Sequence, residues 1–206
     1  MYKLFVGVLV FFVGVGGVQA RSIFHPEYDE LDDPGPSAHT ISVQTGTFYI
    51  KKLGQRLNPG TNYVFEKESD SAIGLEYLFH FNDSHAIGAQ LFHVATDYTS
   101  TFAGGQYQME TQLVMFTYKG HIRMASWVRP FIHFSGGTAF AKLNEPGTDD
   151  FIGLAFGVGG GLYFPFTDHI GLTAEYRYLG GRVVDDADNE IDLESDAIFA
   201  GLNIIF

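Results

Sequence analysis

From Ile41 to the last residue, apolar side chains recur at every second position in separate short runs. That period belongs to strands and not to helices. In the first run Ile41, Val43, Thr45, Thr47 and Tyr49 share a face, opposed by Ser42, Gln44 and Gly46. In the second, Ile73, Leu75, Tyr77, Phe79 and Phe81 oppose Gly74, Glu76 and His80. The third covers about 86–97, with Ile87, Ala89 and Leu91 against Gly88 and Gln90. The fourth, about 107–119, has two competing parities: Val114, Phe116 and Tyr118, or Leu113 and Met115. The fifth covers about 127–142. The sixth sets Ile152, Leu154, Phe156, Val158 and Leu162 against Gly153, Ala155, Gly157, Gly159 and Gly161. The seventh sets Ile170, Leu172, Ala174, Tyr176 and Tyr178 against Gly171, Thr173, Glu175 and Arg177. The eighth sets Ile198, Ala200, Leu202, Ile204 and Phe206 against Phe199, Gly201, Asn203 and Ile205.

These runs are as long as the roughly 9–11 residues a tilted membrane-crossing strand needs. The connections at 82–85, 120–125 and 165–169 read as short turns, and those at 51–70, 98–106, 143–150 and 179–195 as longer polar loops. Short turns on one side and long loops on the other mark an eight-stranded antiparallel up-and-down transmembrane β-barrel, with both chain ends on the short-turn, periplasmic side.

A soluble barrel alternates too, but its outer face is polar. Here the uninterrupted apolar rows lie opposite faces that mix Gly with Glu76, Gln90, Glu175, Arg177 and Asn203, a pattern suited to a narrow interior that side chains fill. Aromatic residues gather near run ends (Tyr49, Phe79, Phe81, Tyr98, Tyr118, Trp127, Phe164, Tyr176, Tyr178 and Phe206), where rings favour the membrane–water boundary. The chain has no Cys, so strand closure has to supply what disulfides give many exported domains. A formal net charge of −12 repels phosphate backbones and excludes nucleic acid as a partner.

Residues 1–20 have the order of a secretory leader. Lys3 gives a positive start, Leu4 to Val15 an apolar core, and Val18-Gln19-Ala20 a small-residue cleavage site before Arg21. The apolar run is short for a membrane helix and is broken by Gly14, Gly16 and Gly17. Residues 21–38 are acidic, carry Pro26, Pro34 and Pro36, and read as a flexible N-terminal segment; the barrel is expected over 39–206.

Three places resemble the opacity-protein/OmpA-like group of small eight-stranded outer-membrane barrels. Arg129-Pro130-Phe131 opens a strand holding Gly136 and Gly137; Phe156 to Gly180 joins a Gly-rich strand, a short turn and Tyr176-Arg177-Tyr178; and the chain ends in AGLNIIF. The resemblance covers about 39–206 and implies the fold and the outer membrane. It also implies that Gly201, Ile204 and Phe206 form the ending read by the barrel-assembly machinery.

Three constellations bear on chemistry. His133 and Ser135 share one strand face, and a His can activate a hydroxyl when an acid orients it. The pair is similar to the His-x-Ser of the lipid A 3-O-deacylases. It departs from that family's pattern in being followed by Gly136-Gly137 rather than Asn, and in lying far from the C-terminal end. Asp186, Asp188, Glu190, Asp192, Glu194 and Asp196 recur at period two in the expected loop 185–196; such clusters suit Ca²⁺, but EF-hand spacing is absent and a solvated loop is the bland account. Glu76, Glu175 and Arg177 are expected to point inward and form a structural charge cluster, with Arg177 paired to Glu76 or to a neighbouring interior acid. Lys51, Lys52, Arg56 and Lys67 form the chief basic group, placed to meet lipopolysaccharide phosphates or simply solvent.

The function expected is that of a non-enzymatic integral outer-membrane barrel with a structural or surface-interaction role. Its partners are outer-membrane lipids and lipopolysaccharide, and the assembly machinery during biogenesis; no cofactor or metal is called for. The alternatives are a narrow channel or small-ligand carrier, and a lipid A-modifying hydrolase. A leader cut after Ala20 makes Arg21 the first residue of the mature protein. N-terminal sequencing that finds Met1 on the exported protein would refute the cleavage.

Overall fold

The computed structural model describes residues 38–56, 63–65, 69–100, 105–122, 127–144 and 150–206. The expected leader, the acidic segment up to residue 37, and Lys67 lie outside the described residues. Among the described residues there is no helix, and nine strands form one antiparallel sheet. They are β1 (Ala38–Arg56), β2 (Tyr63–Phe65), β3 (Ser69–Asn82), β4 (His85–Ser100), β5 (Gly105–His121), β6 (Arg129–Leu143), β7 (Phe151–Pro165), β8 (Ile170–Val184) and β9 (Glu190–Ile205). The short β2 adds onto the end of β4. The other eight close on themselves, because β4 pairs with β5 and β1 pairs with β9. Closure is what the solvent demands. In hydrocarbon every N–H and C=O needs an internal partner, and a closed sheet has no edge.

Burial follows the parity of the apolar runs. Phe116 and Leu154 are 77% and 75% exposed, and Val43, Ile73, Ile87, Ile152, Phe156, Tyr176, Ile198 and Ile204 lie on the same outer surface. An apolar belt of this extent on a barrel exterior is a lipid face. The competing parities of the fourth run are resolved in β5: Val114, Phe116 and Tyr118 face out, while Leu113, Met115, Thr117 and Lys119 face in. Trp127 and Phe166 are exposed beside the short turns.

The expected long loops are shorter than the side-chain pattern implied. β1 runs on to Arg56, β4 ends at Ser100 with β5 starting at Gly105, and β8 ends at Val184 with β9 starting at Glu190. Apolar periodicity ends where lipid ends, whereas backbone pairing needs no apolar side chain and continues into water. The β8–β9 turn is closed by Asp185, whose carboxylate accepts from the backbone N–H of Ala187 (2.9 Å) and Asn189 (2.8 Å), with Asp188 at φ 61°. Glu190, Asp192, Glu194 and Asp196, read from the sequence as part of a loop, therefore belong to a paired strand.

The β1–β9 seam carries a second contact at its lower end. His39 and Phe206 exchange two backbone hydrogen bonds of 2.9 Å. The Phe206 ring stacks on His39 at 5.8 Å, and His39 in turn meets Phe79 at 5.4 Å and bonds the Tyr77 hydroxyl at 2.6 Å. Inside, tight strand approach depends on glycine. A Cβ on Gly137 would lie 2.0 Å from the Val114 carbonyl oxygen, a fixed backbone atom. Gly137→Ala should push β6 off β5 and destabilise the barrel by about 1–3 kcal/mol, as overpacking does elsewhere. Urea unfolding of the refolded protein in detergent, followed by heat-modifiability on gels, measures this; an unchanged midpoint would contradict the close approach.

Candidate functional site

A layer of buried polar side chains crosses the middle of the barrel. It draws Gln44 from β1, Glu76 from β3, Gln90 from β4, Lys119 from β5, His133 from β6, and Glu175 and Arg177 from β8; Arg177, His133 and Gln90 are fully buried. Space for it comes from β7, where Gly157, Gly159 and Gly161 face the lumen. A Cβ on Gly159 would lie 2.9 Å from the Arg177 Cα, and one on Gly157 3.5 Å from the Arg177 Cδ.

The guanidinium of Arg177 donates from Nε to Glu175 Oε1 at 2.8 Å and from Nη1 to Gln90 Oε1 at 2.9 Å, and its Nη2 lies 2.7 Å from Glu175 Oε1 in an ion pair. Gln90 in turn donates to Glu76 Oε1. Glu76 Oε2 accepts from Lys119 (2.7 Å) and from Gln44 (3.0 Å). Lys119 also lies 3.4 Å from Glu175, and His133 Nδ1 lies 3.0 Å from Glu175 Oε1. Two carboxylates thus balance two cations. The Arg177 Cζ stands 4.9 Å over Phe92 and 5.0 Å over Phe199, and Lys119 Nζ 4.9 Å over Phe131. Each ion here would cost several kcal/mol of lost hydration if left alone, and pairing offsets that.

The three charges expected inside are placed together in this layer, and Arg177 takes the neighbouring interior acid Glu175 as its partner. Arg177 reaches Glu175 on its own strand, and Glu76 only through Gln90. Residues two apart on a strand lie roughly 7 Å apart, and the long Arg177 side chain folds back over that distance. Glu76 takes Lys119 instead, a residue the sequence reading did not single out. The signal was present: once Val114, Phe116 and Tyr118 face lipid, Lys119 must face in.

His133 and Ser135 both face the interior. His133 lies beside the acid Glu175, two strands along on β8, and the contact of the Ser135 hydroxyl is the Met115 sulfur at 3.7 Å. A hydrolase acting on lipid needs such a pair open to lipid, and His133 is fully buried. Gly201 and Ile204 lie on β9, Gly201 inward between Ser42 and Gln44 and Ile204 outward, while Phe206 closes the seam. The backbone of Lys51, Lys52 and Arg56 lies in β1. Among the described residues no group of three or more ligating side chains is placed to hold a metal ion.

The layer divides the lumen. Above it, an apolar cavity of about 50 Å³ is lined by Phe48, Val94, Met109, Leu113 and Leu179. Below it, toward the short turns, a cavity of about 40 Å³ is lined by the polar groups of His80, Lys119, His121, Arg129 and Tyr163 and by apolar Leu78, Phe131 and Ile205.

The family model described as outer membrane protein beta-barrel domain matches residues 25–206. The chain belongs to this family. As a member of it, the barrel resides in the bacterial outer membrane. No curated protein sequence matches the chain significantly. Among solved structures, Neisserial surface protein A is similar at a TM-score of 0.61 and 13% identity, covering 81% of this chain and 97% of that one. OprG from Pseudomonas aeruginosa is similar at 0.55 and 12%, covering 82% and 95%. Ail, the attachment invasion locus protein of Yersinia pestis, in complex with the heparin analogue sucrose octasulfate, is similar at 0.50 and 16%, covering 82% and 99%. At such identities the likeness is one of fold.

Arg177→Met should destabilise this outer-membrane barrel by about 3–5 kcal/mol, because it leaves Glu175 short of a buried partner. Adding Glu175→Gln should recover part of the loss, more than adding Glu76→Gln does. Urea unfolding of the three variants in micelles gives the comparison. A spin label at position 177 that reports lipid contact would overturn the assignment.

Proposed function

We propose that this chain is a non-enzymatic outer-membrane barrel that serves the envelope through its outer rim rather than through its lumen. The observation that carries the reading is the filled interior. A charge-paired layer spans the barrel from β1 to β8 with its side chains buried, so it obstructs a water-filled path. A carrier role is disfavoured by size: an apolar cavity that takes up benzene is about 150 Å³, and the upper cavity here is about 50 Å³. A hydrolase role is disfavoured by the enclosure of His133.

The rim gives the surface its chemistry. Glu190, Asp192, Glu194 and Asp196 climb β9 above the lipid face, and Arg182 lies 2.6 Å from Asp192 and 3.4 Å from Glu190. Ail is described with a polysulfated ligand; a polyanion would be repelled by the acidic row here. The rim suits cationic surface partners, with lipopolysaccharide and other outer-membrane lipids around the belt. The assembly machinery is a partner during biogenesis, and the ending Gly201, Ile204 and Phe206 is the segment proposed to be read by it.

The absence of Cys makes a direct test simple. Asp186→Cys should react with a membrane-impermeant maleimide on intact cells, while the unmutated protein shows no steady conductance in planar bilayers. A silent cysteine at 186, or a large steady pore, would defeat the proposal. Deleting Phe206 removes the ring stacked on His39 along with the assembly ending, and folded outer-membrane protein should fall several-fold. Normal levels after deletion would reject the role given to the ending.

A further inference from the structure

The cavity below the charged layer is chemically unlike the rest of this acidic chain. Its lining brings together His80, Lys119, His121 and Arg129, with one acid, Asp83. The imidazoles of His80 and His121 stack, with centroids 5.8 Å apart and planes at 27°. His80 Nε2 is 3.0 Å from the Thr40 hydroxyl. His121 packs against Phe131 at 5.6 Å and edge-on to Tyr163 at 6.4 Å. The Tyr163 hydroxyl, one of the lining groups, is buried and makes no hydrogen bond. Nearby, Asn203 is committed, donating to the Thr173 hydroxyl at 2.7 Å.

We propose that this lower vestibule is a binding site for a small tetrahedral oxyanion, sulfate or phosphate, taken up together with protons on His80 and His121. The charge around the two rings is as follows. β1 presents His39, β3 and its turn Glu76 and Asp83, β4 His85, β5 Lys119, β6 Arg129, and β7 the neutral Tyr163. Glu76 is already held by Lys119 and Gln44. With neutral imidazoles the cavity therefore carries no large excess of charge. Two protonated rings in contact, beside Lys119 and Arg129, are unfavourable without a counter-ion, since like charges at this separation repel. A doubly charged anion between them supplies that counter-ion, and Tyr163 has a free O–H to donate to it. By linkage, whatever binds the protonated state better also promotes protonation. The cavity of about 40 Å³ has room for about three waters at about 10–15 Å³ each, whose place the ion would take. The site opens to the lumen and not to lipid, so the ligand is a dissolved ion and not a headgroup.

Sulfate is the probe, because its charge does not change over the range in which imidazole titrates. The mature barrel refolded in micelles is titrated calorimetrically with sodium sulfate at constant ionic strength. Saturable binding should be at least tenfold tighter at about pH 5 than at about pH 8, each tenfold corresponding to about 1.4 kcal/mol of added attraction. His80→Gln with His121→Gln should abolish the pH dependence, and Arg129→Gln should weaken binding at both pH values. Should the variants fail to fold, the imidazole proton resonances of the unmutated protein decide: two of them should shift and saturate with sulfate at about pH 5. Three outcomes overturn the proposal: equal affinity at both pH values, unchanged binding in the double variant, or imidazole signals that ignore sulfate.

Discussion

Everything in this barrel depends on the pairing of its first and last long strands. β1 and β9 share a ladder from Thr40 and Ile205 up to Arg56 and Glu190, with one bulge between Ile50 and Lys52. Opening it would expose two edges of backbone N–H and C=O to hydrocarbon, where each unpaired group costs several kcal/mol. No core residue could offset a loss repeated along two whole strands. Phe206 lies at the lower end of that seam and is part of the closure. Phe206 stacks on His39, and His39 is fixed by Tyr77 and Phe79 from the next strand round. Three strands meet at one cluster, which gives the terminal ring a position determined by its surroundings as well as by its backbone.

Closure fixes the number of strands, and the number of strands fixes the interior. Eight strands leave room for side chains and little else. The inner faces here pass from apolar residues at the top, through the layer of Glu76, Gln90, Lys119, His133, Glu175 and Arg177, to a histidine-bearing vestibule at the bottom. The charged layer is not the cheapest way to fill that space. A buried ion pair is weak evidence for stability, since apolar residues of equal volume often do as well. What it does provide is directional bonding between strands far apart in sequence: Arg177 to Gln90 and Lys119 to Glu76. A shift of register by one residue would turn each of these groups outward into lipid. The layer therefore penalises misregistered closure more heavily than an apolar filling of the same volume would.

The fold was largely legible in the sequence because a membrane barrel has one dominant constraint and it is written at period two. Rows such as Ile170, Leu172, Ala174, Tyr176 face lipid as their parity requires, and Glu175 and Arg177 face in for the same reason. Strand ends were less legible. The apolar rows report the thickness of the lipid, and β8, β9 and β1 continue past it on hydrogen bonds alone, so Glu190 to Asp196 read as loop. Side-chain partners were least legible of all. Parity says which side a residue faces, not how far its side chain bends. Between the partners open to Arg177, Glu76 or a neighbouring interior acid, parity does not choose, and the side chain folds back on Glu175; Lys119 was hidden by the ambiguous parity of its strand. The His80–His121 stack could not be read either, because it depends on β3 and β5, which are not adjacent, approaching across the lumen.

The acidic rim makes sense only in terms of what lies outside the molecule. Asp192 and Arg182 form a pair 2.6 Å long, but both are about half exposed, where solvent screens the attraction and ordering two side chains consumes much of the gain. The repeated acids on β9 stand at successive outward positions of one strand, an arrangement in which like charges repel. The β8–β9 ladder itself is made by backbone groups, and its turn is closed by Asp185. In the lipid-covered part of the barrel, by contrast, the most exposed outward residues, Phe116, Leu154 and Ile73, are the apolar ones that lipid calls for. Stability is thus settled below the rim, in the closed ladder and the paired interior, and the rim is left free to carry charge that folding does not use. That separation is why the barrel's interaction chemistry is sought in the residues its stability does not require.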